Sequence, residues 1–295
     1  MCRLTSLSGN SIRTGLTDKI ADAPPLICGP PDRRSSLALA AERVLAGVLE
    51  YNSMVDEEFR HPRLAAIYDA VDPDRGDLDA YVAVVEELGA RRVLDVGCGT
   101  GTLALMLAER GHDVVAVDPA SASLTVARAK PGAERVRWID GDATALPVAD
   151  RDVATMTGNA VQSIADPQHW AATLRSVRAA LRAGGHLVFE TRDPAARGWQ
   201  RWTREASYRT TQIAGVGAVT SWVEVTAIDW PLVSFRWTWI FASDGATLIS
   251  DSTLRFRQRE EVEADLRRNG FSVIDVRDAP DRPTREFVFL ARRDD

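Results

Sequence analysis

Val93-Leu94-Asp95-Val96-Gly97-Cys98-Gly99-Thr100-Gly101-Thr102 is the stretch that decides the fold of this 295-residue chain. Residues 92–96 form a short apolar run that reads as a β-strand, and a helical pattern follows at 103–109, stopped by Gly111. Between them glycines stand at alternate positions, 97, 99 and 101. With no Cβ atoms, the backbone can turn tightly there and pass close to a ligand. The helix that follows aims its N-terminus and free N–H groups at the same place. In an open α/β sheet this is where ligands bind, beyond the C-terminal ends of the strands.

Working outward, the strand–helix rhythm repeats. Strands are expected at 113–117, 135–139, 152–157 and 186–190. Helices are expected at 121–129, broken by Pro131-Gly132, and at 167–182, before Gly184-Gly185. Upstream, helical spacing covers 61–70 and 77–89, ending at Gly89. This alternation predicts a parallel sheet with helices on both faces. The rhythm changes over 205–257, where three or four extended segments and no convincing helix are read. There Phe235, Trp237, Trp239 and Phe241 alternate with Arg236, Thr238 and Ile240, and Ser243-Asp244-Gly245 marks a hairpin turn. A helix at 259–269 is closed by Gly270. Strands at 271–277 and 286–292 have no helix between them, so they must pair antiparallel at the end of the sheet.

The glycine spacing discriminates among nucleotide sites. A dinucleotide fingerprint needs G-x-G-x-x-G/A, whereas here position 102 is Thr. A G-x-G-x-G turn cradles no diphosphate; a compact amino-acid tail can occupy it. Asp118 ends the second strand, where a carboxylate can accept both hydroxyls of a ribose. Asp142, in Gly141-Asp142-Ala143, follows the third strand and can accept from an adenine amino group. Each acid alone reads as a solvated strand end. The turn and both acids, in order at successive strand ends, read as one site.

Over residues 60–292 the chain resembles class I S-adenosylmethionine (AdoMet)-dependent methyltransferases. The resemblance is carried by D-V-G-C-G-T-G at 95–101, V-V-A-V-D-P-A at 114–120, G-D-A-T-A-L-P at 141–147 and L-R-A-G-G-H-L-V-F-E at 181–190. It implies AdoMet as cofactor and a doubly wound, mostly parallel seven-stranded α/β sheet with a reversed last strand. An antiparallel β insertion follows the fifth strand. It also implies that Asp95, Gly97, Gly99 and Gly101 surround the methionine portion, that Asp118 holds the ribose, and that Asp142 and Ala143 hold the adenine. Asn159, in Gly158-Asn159-Ala160, would border the sulfonium. Tyr68 would close over the cofactor from an N-terminal helix.

Methyl transfer from a sulfonium needs an in-line nucleophile, exclusion of water and sometimes removal of a proton, so no catalytic residue is read from the sequence. Six of the eight tryptophans lie between 199 and 239. On the inner face of an added sheet they would line an apolar pocket for a small-molecule acceptor, or else pack that sheet or form a dimer contact. Glu224, Arg236, Tyr208, His169 and Glu190 are further candidates for anchoring or deprotonating the acceptor. The expected domains are an extension at 1–53, a cofactor-binding core at 54–204 and 258–295, and the insertion at 205–257. Within the extension, 1–34 are expected to be poorly ordered and 35–50 helical, with an upstream start codon as its origin.

Composition narrows the function further. A net charge of -6 with scattered arginines offers no groove for nucleic acid, and no apolar run is long enough to span a membrane. Cys2, Cys28 and Cys98 form no CxxC pair, and the histidines at 61, 112, 169 and 186 have no ligand spacing, so no metal is expected. A cytoplasmic monomer or homodimer is expected. The competing functions are an NAD-binding oxidoreductase and a non-catalytic AdoMet-binding protein.

Overall fold

The computed structural model describes residues 55–295, all within the compact unit Leu49–Asp295. The expected disorder of 1–34, the helix at 35–50 and Cys2 and Cys28 lie outside the described residues. The core is one seven-stranded sheet of order β10-β11-β5-β4-β1-β2-β3. Its strands are β1 (Arg92–Val96), β2 (Asp113–Asp118), β3 (Val136–Asp140), β4 (Arg151–Met156), β5 (Leu181–Arg192), β10 (Phe271–Asp278) and β11 (Glu286–Arg293). The first five are parallel neighbours, and β11 runs antiparallel to both β5 and β10. The short loop after β10 forces the reversal, because a parallel return needs a crossover.

Continuous apolar strands arise because both faces are covered. Val93, Val114, Val153 and Val188 pack with Tyr81 and Val85 of α4 (Asp79–Glu87) and with Leu103 and Leu107 of α5 (Thr102–Glu109). Their neighbours Leu94, Val115, Ala154 and Leu187 point the other way, onto Trp170, Leu174 and Val177 of α8 (Pro167–Ala180) and Leu266 of α10 (Arg259–Arg268). Such two-faced burial is the rule for parallel sheets.

Three local readings are corrected. The 61–70 helix is instead α2 (Pro62–Ala65) and α3 (Tyr68–Val71), preceded by an unforeseen α1 (Glu57–Arg60). The His61 side chain restarts the helix by accepting the Arg63 N–H at 3.2 Å. The helix expected to reach 182 stops at Ala180, and β5 begins at Leu181, not at 186. Gly184 and Gly185 lie inside that strand; a Cβ on Gly185 would stand 2.9–3.2 Å from the Arg182, Asp152 and Arg151 carbonyl oxygens. Finally, the stretch 205–257 contains one helical turn, α9 (Arg204–Ser207), capped by Thr203.

The remaining strands, β6 (Arg209–Ile213), β7 (Gly217–Asp229), β8 (Leu232–Phe241) and β9 (Thr247–Arg255), form a separate antiparallel sheet in sequence order. Its period-2 reading holds at the two ends of β8: Phe235, Trp239 and Phe241 are buried and Arg236 is exposed, pairing with Asp251 at 2.6 Å, whereas Thr238 is buried as well and Trp237 only half-buried. Trp239 and Phe241 pack on Leu64 and Ile67, so the short N-terminal helices join this sheet to the core. α6 (Ser121–Ala129) supplies the other contact: Ser123 Oγ donates to the Phe59 carbonyl at 3.0 Å.

Gly101 caps α5 with φ +80°, and a Cβ there would lie 2.4 and 2.7 Å from the Trp138 ring. Gly101→Ala therefore combines backbone strain with overpacking, and a loss of about 2 kcal/mol in urea-unfolding stability is expected.

Candidate active site

One cavity of about 610 Å³ opens beyond the C-terminal ends of β1–β4, with the appended sheet forming part of its wall. The chain leaves β1 toward β2 and β3, then returns to β4 on the other side of β1. The cavity therefore lies at the topological switch point.

The glycine turn and Asp118 are one construction. The N–H groups of Gly97 and Cys98 donate to the Val117 carbonyl at 2.8 and 3.2 Å, tying the turn to the end of β2. The Gly99 N–H donates to Asp118 Oδ2 at 2.7 Å, and the Ala120 N–H donates to Oδ1 at 2.8 Å. Each carboxylate oxygen thus accepts one bond and keeps acceptor capacity. Gly99, at φ +53°, has no heavy atom within 4 Å of where its Cβ would stand, so the turn borders open space. Burial raises the Asp118 pKa to about 6, against the pull of the two N–H groups.

Of the residues expected around the ligand, Tyr68, Gly97, Gly99, Asp118, Asp142, Ala143 and Asn159 line this cavity. Asp95 and Gly101 do not. Asp95 pairs in register with Thr155 and accepts its hydroxyl at 2.8 Å, one layer beneath, where burial raises its pKa to about 7. Gly101 faces Trp138 instead. Asn159 has φ 58°; its N–H donates to Glu190 at 2.8 Å and its side-chain amide to Glu286 at 3.2 Å. The Asn159 Oδ1 is buried with no hydrogen-bond partner. Asp142 accepts the Thr144 N–H and stands 3.5 Å from His169 Nε2.

The cover comes from the short helices. Asp69 accepts the Thr100 hydroxyl at 2.6 Å and pairs with Lys130 at 2.6 Å, pinning α3 to the glycine turn. Tyr68 packs on Phe59 with ring centroids 5.7 Å apart, and burial pushes its hydroxyl up to about 12. Asp56 and Glu58, which the sequence reading passed over, also line the cavity.

Of the six clustered tryptophans, Trp202 and Trp237 line the cavity, with Phe235 and Leu254 beside them. Trp199 packs on Phe256, Trp239 on Trp237, and Trp222 donates to Glu224 at 2.6 Å. Among the further candidates only His169 reaches the cavity; Tyr208 is exposed, and Glu190 lies behind Asn159. The described residues contain no group of three metal-ligating side chains, and no helix among them is long and apolar enough to cross a membrane.

Residues 93–185 match the family described as a methyltransferase domain. That match covers about a third of the chain and takes in the glycine turn, Asp118 and Asp142. An uncharacterized methyltransferase of Mycobacterium tuberculosis is 41% identical over 117 residues, 38% of this chain and 44% of that protein. The cypemycin N-terminal methyltransferase of a Streptomyces species is 36% identical over 119 residues, 40% of this chain and 49% of that protein. The chain thus spans less than half the length of the curated relatives it matches. The fold is shared more widely. An AdoMet-dependent methyltransferase of Clostridium acetobutylicum superposes with TM-score 0.63 at 20% identity, covering 79% of this chain and 98% of the other. An amino pentose methyltransferase of Micromonospora echinaspora superposes with TM-score 0.59 at 24% identity, covering 77% and 96%.

Three carboxyls of the seven-stranded core have their pKa raised by burial: Asp118 to about 6, Asp95 and Glu190 to about 7. The folded state therefore binds protons that the unfolded chain has already released, and stability falls as pH rises through this range. Urea unfolding of the ligand-free protein should give a lower midpoint at pH 8 than at pH 5.5, and Asp95→Asn should flatten the difference. A midpoint rising with pH would contradict these assignments.

Proposed function

We propose that this protein is an AdoMet-dependent methyltransferase acting on a small molecule. One observation carries the reading: the two Asp118 oxygens, each holding one N–H of the surrounding turn, keep a lone pair apiece at the cavity wall. That pair of acceptors fits a vicinal diol. Beside it the side-chain-free wall at Gly99 leaves room for the amino-acid tail, while Gly97 gives its room to Ala160. Asp142 and Ala143 would hold the adenine, and the orphaned Asn159 Oδ1 is a ready acceptor for the ligand's ammonium group. Tyr68 would close over the cofactor, and Asp95 would support the turn from beneath through Thr155.

AdoMet supplies an activated methyl group and the positive charge that drives its transfer. The chain would fix the nucleophile in line and keep water out, and orientation of this kind lowers barriers by up to ~7–11 kcal/mol. Aromatic faces from Trp202, Phe235 and Trp237 support an organic acceptor of modest size. A net charge of -6 speaks for a small molecule over a nucleic acid.

Calorimetric titration tests the reading. Asp118→Ala should weaken AdoMet binding by about 1–3 kcal/mol through the lost charge-assisted bonds. Gly99→Val should abolish binding while leaving the sheet folded by circular dichroism. Unchanged affinity in either variant, or a wild-type preference for NADH, would overturn it.

A further inference from the structure

The residues assigned to AdoMet come from the ends of β1–β4 and from α3. The rest of the cavity wall comes from α1 and the residues flanking it, from 75–78, 163–169 and 192–207, and from the appended sheet. Its aromatic faces are Phe59, Trp202, Phe235 and Trp237, and its acids are Asp56, Glu58 and Asp166, the last of which accepts the His169 N–H at 2.7 Å. The Glu58 N–H donates to Ser250 Oγ at 3.0 Å, which fixes α1 against β9.

The Glu58 carboxyl is the unexplained group. Among the described residues it accepts no hydrogen bond and forms no ion pair, although it lines the cavity. The charged and titratable groups that face it are Asp56, Arg209 and Tyr68. Burial raises its pKa to about 8, with Asp56 adding to the shift and Arg209 opposing it. Two of the three arginines in the wall are occupied, and the exposed Arg201 forms no ion pair among the described residues. Arg75 pairs with Asp77 at 3.2 Å, and Arg192 holds Gln162 at 2.9 Å and Glu286 at 3.8 Å. An unpaired carboxyl among aromatic faces has a clear complement, a cation that carries N–H donors.

Resting on the methyltransferase reading, we infer that Asp56 and Glu58 form the acceptor subsite, that the acceptor is a protonated amine, and that Glu58 removes its proton. The N–H bonding pair stays on nitrogen and the proton passes to the Glu58 carboxylate. The freed lone pair then forms a bond to the methyl carbon as the carbon–sulfur bond breaks. That bond's electrons go to sulfur, leaving a neutral thioether. The product departs as a methylated ammonium ion, and Glu58 returns its proton to water. An ammonium bound beside Glu58 would lower its raised pKa and favour the carboxylate that accepts the proton.

Tryptophan fluorescence can read the subsite, because Trp202 and Trp237 stand in its wall. The full chain saturated with S-adenosylhomocysteine is titrated with phenethylammonium and with its neutral isostere 2-phenylethanol. The ammonium should bind at least roughly tenfold more tightly, the worth of one charge-assisted hydrogen bond. E58Q should abolish that preference and D56N should reduce it, with S-adenosylhomocysteine still bound by both. Equal binding of the two probes, binding of neither, or a preference that survives both variants overturns the inference while leaving the cofactor reading intact. Failure of wild-type protein to bind S-adenosylhomocysteine removes the cofactor reading and this inference with it.

Discussion

The Asp118 carboxylate is the constraint on which the site depends. It closes β2, accepts the Gly99 and Ala120 N–H groups, and so fixes the glycine turn and the start of the following segment in one geometry. A glycine-rich turn alone is conformationally loose, because glycine loses more freedom on folding than any other residue. The carboxylate and the Val117 carbonyl together consume three successive N–H groups of the turn. Its burial is costly, as its raised pKa indicates. A cavity-facing carboxylate with an elevated pKa and spare acceptors is a site prepared for donors that arrive with a ligand.

The second structural theme is closure from outside the sheet. Helices α1–α3 are too short to be stable alone, and they persist because each end is tied to something larger. Asp69 binds them to the turn, Ser123 to α6, and Ser250 to the appended sheet. Leu64 and Ile67 lie under Trp239 and Phe241. The glycine turn and the appended sheet are therefore joined through these few contacts, and the aromatic strand β8 both packs the cover and lines the cavity.

Much of this was legible in the sequence. The strand–helix alternation, the glycine turn and the acids at 118 and 142 are local signals, and they led to the sheet and to one end of the cavity. What stayed hidden was tertiary. Gly101 reads as a ligand-facing glycine, but its absent Cβ makes room for Trp138, contributed by a strand far along the chain. Asp95 reads as part of the ligand shell, but its register partner Thr155 turns it into the support beneath. Asp56 and Glu58 belong to no motif of the sequence; only the packing on β9 of the short helix that follows Asp56 brings them to the cavity. The β5 start was misplaced because Gly184-Gly185 signals a turn locally, whereas close approach of neighbouring carbonyls makes it a kink within the strand.

A crystal structure with S-adenosylhomocysteine tests the central claim most directly. The account predicts both ribose hydroxyls within about 3 Å of the Asp118 oxygens, with the Gly99 and Ala120 bonds retained. A ribose bound elsewhere, or an Asp118 carboxylate that must abandon Gly99 to reach it, would contradict it.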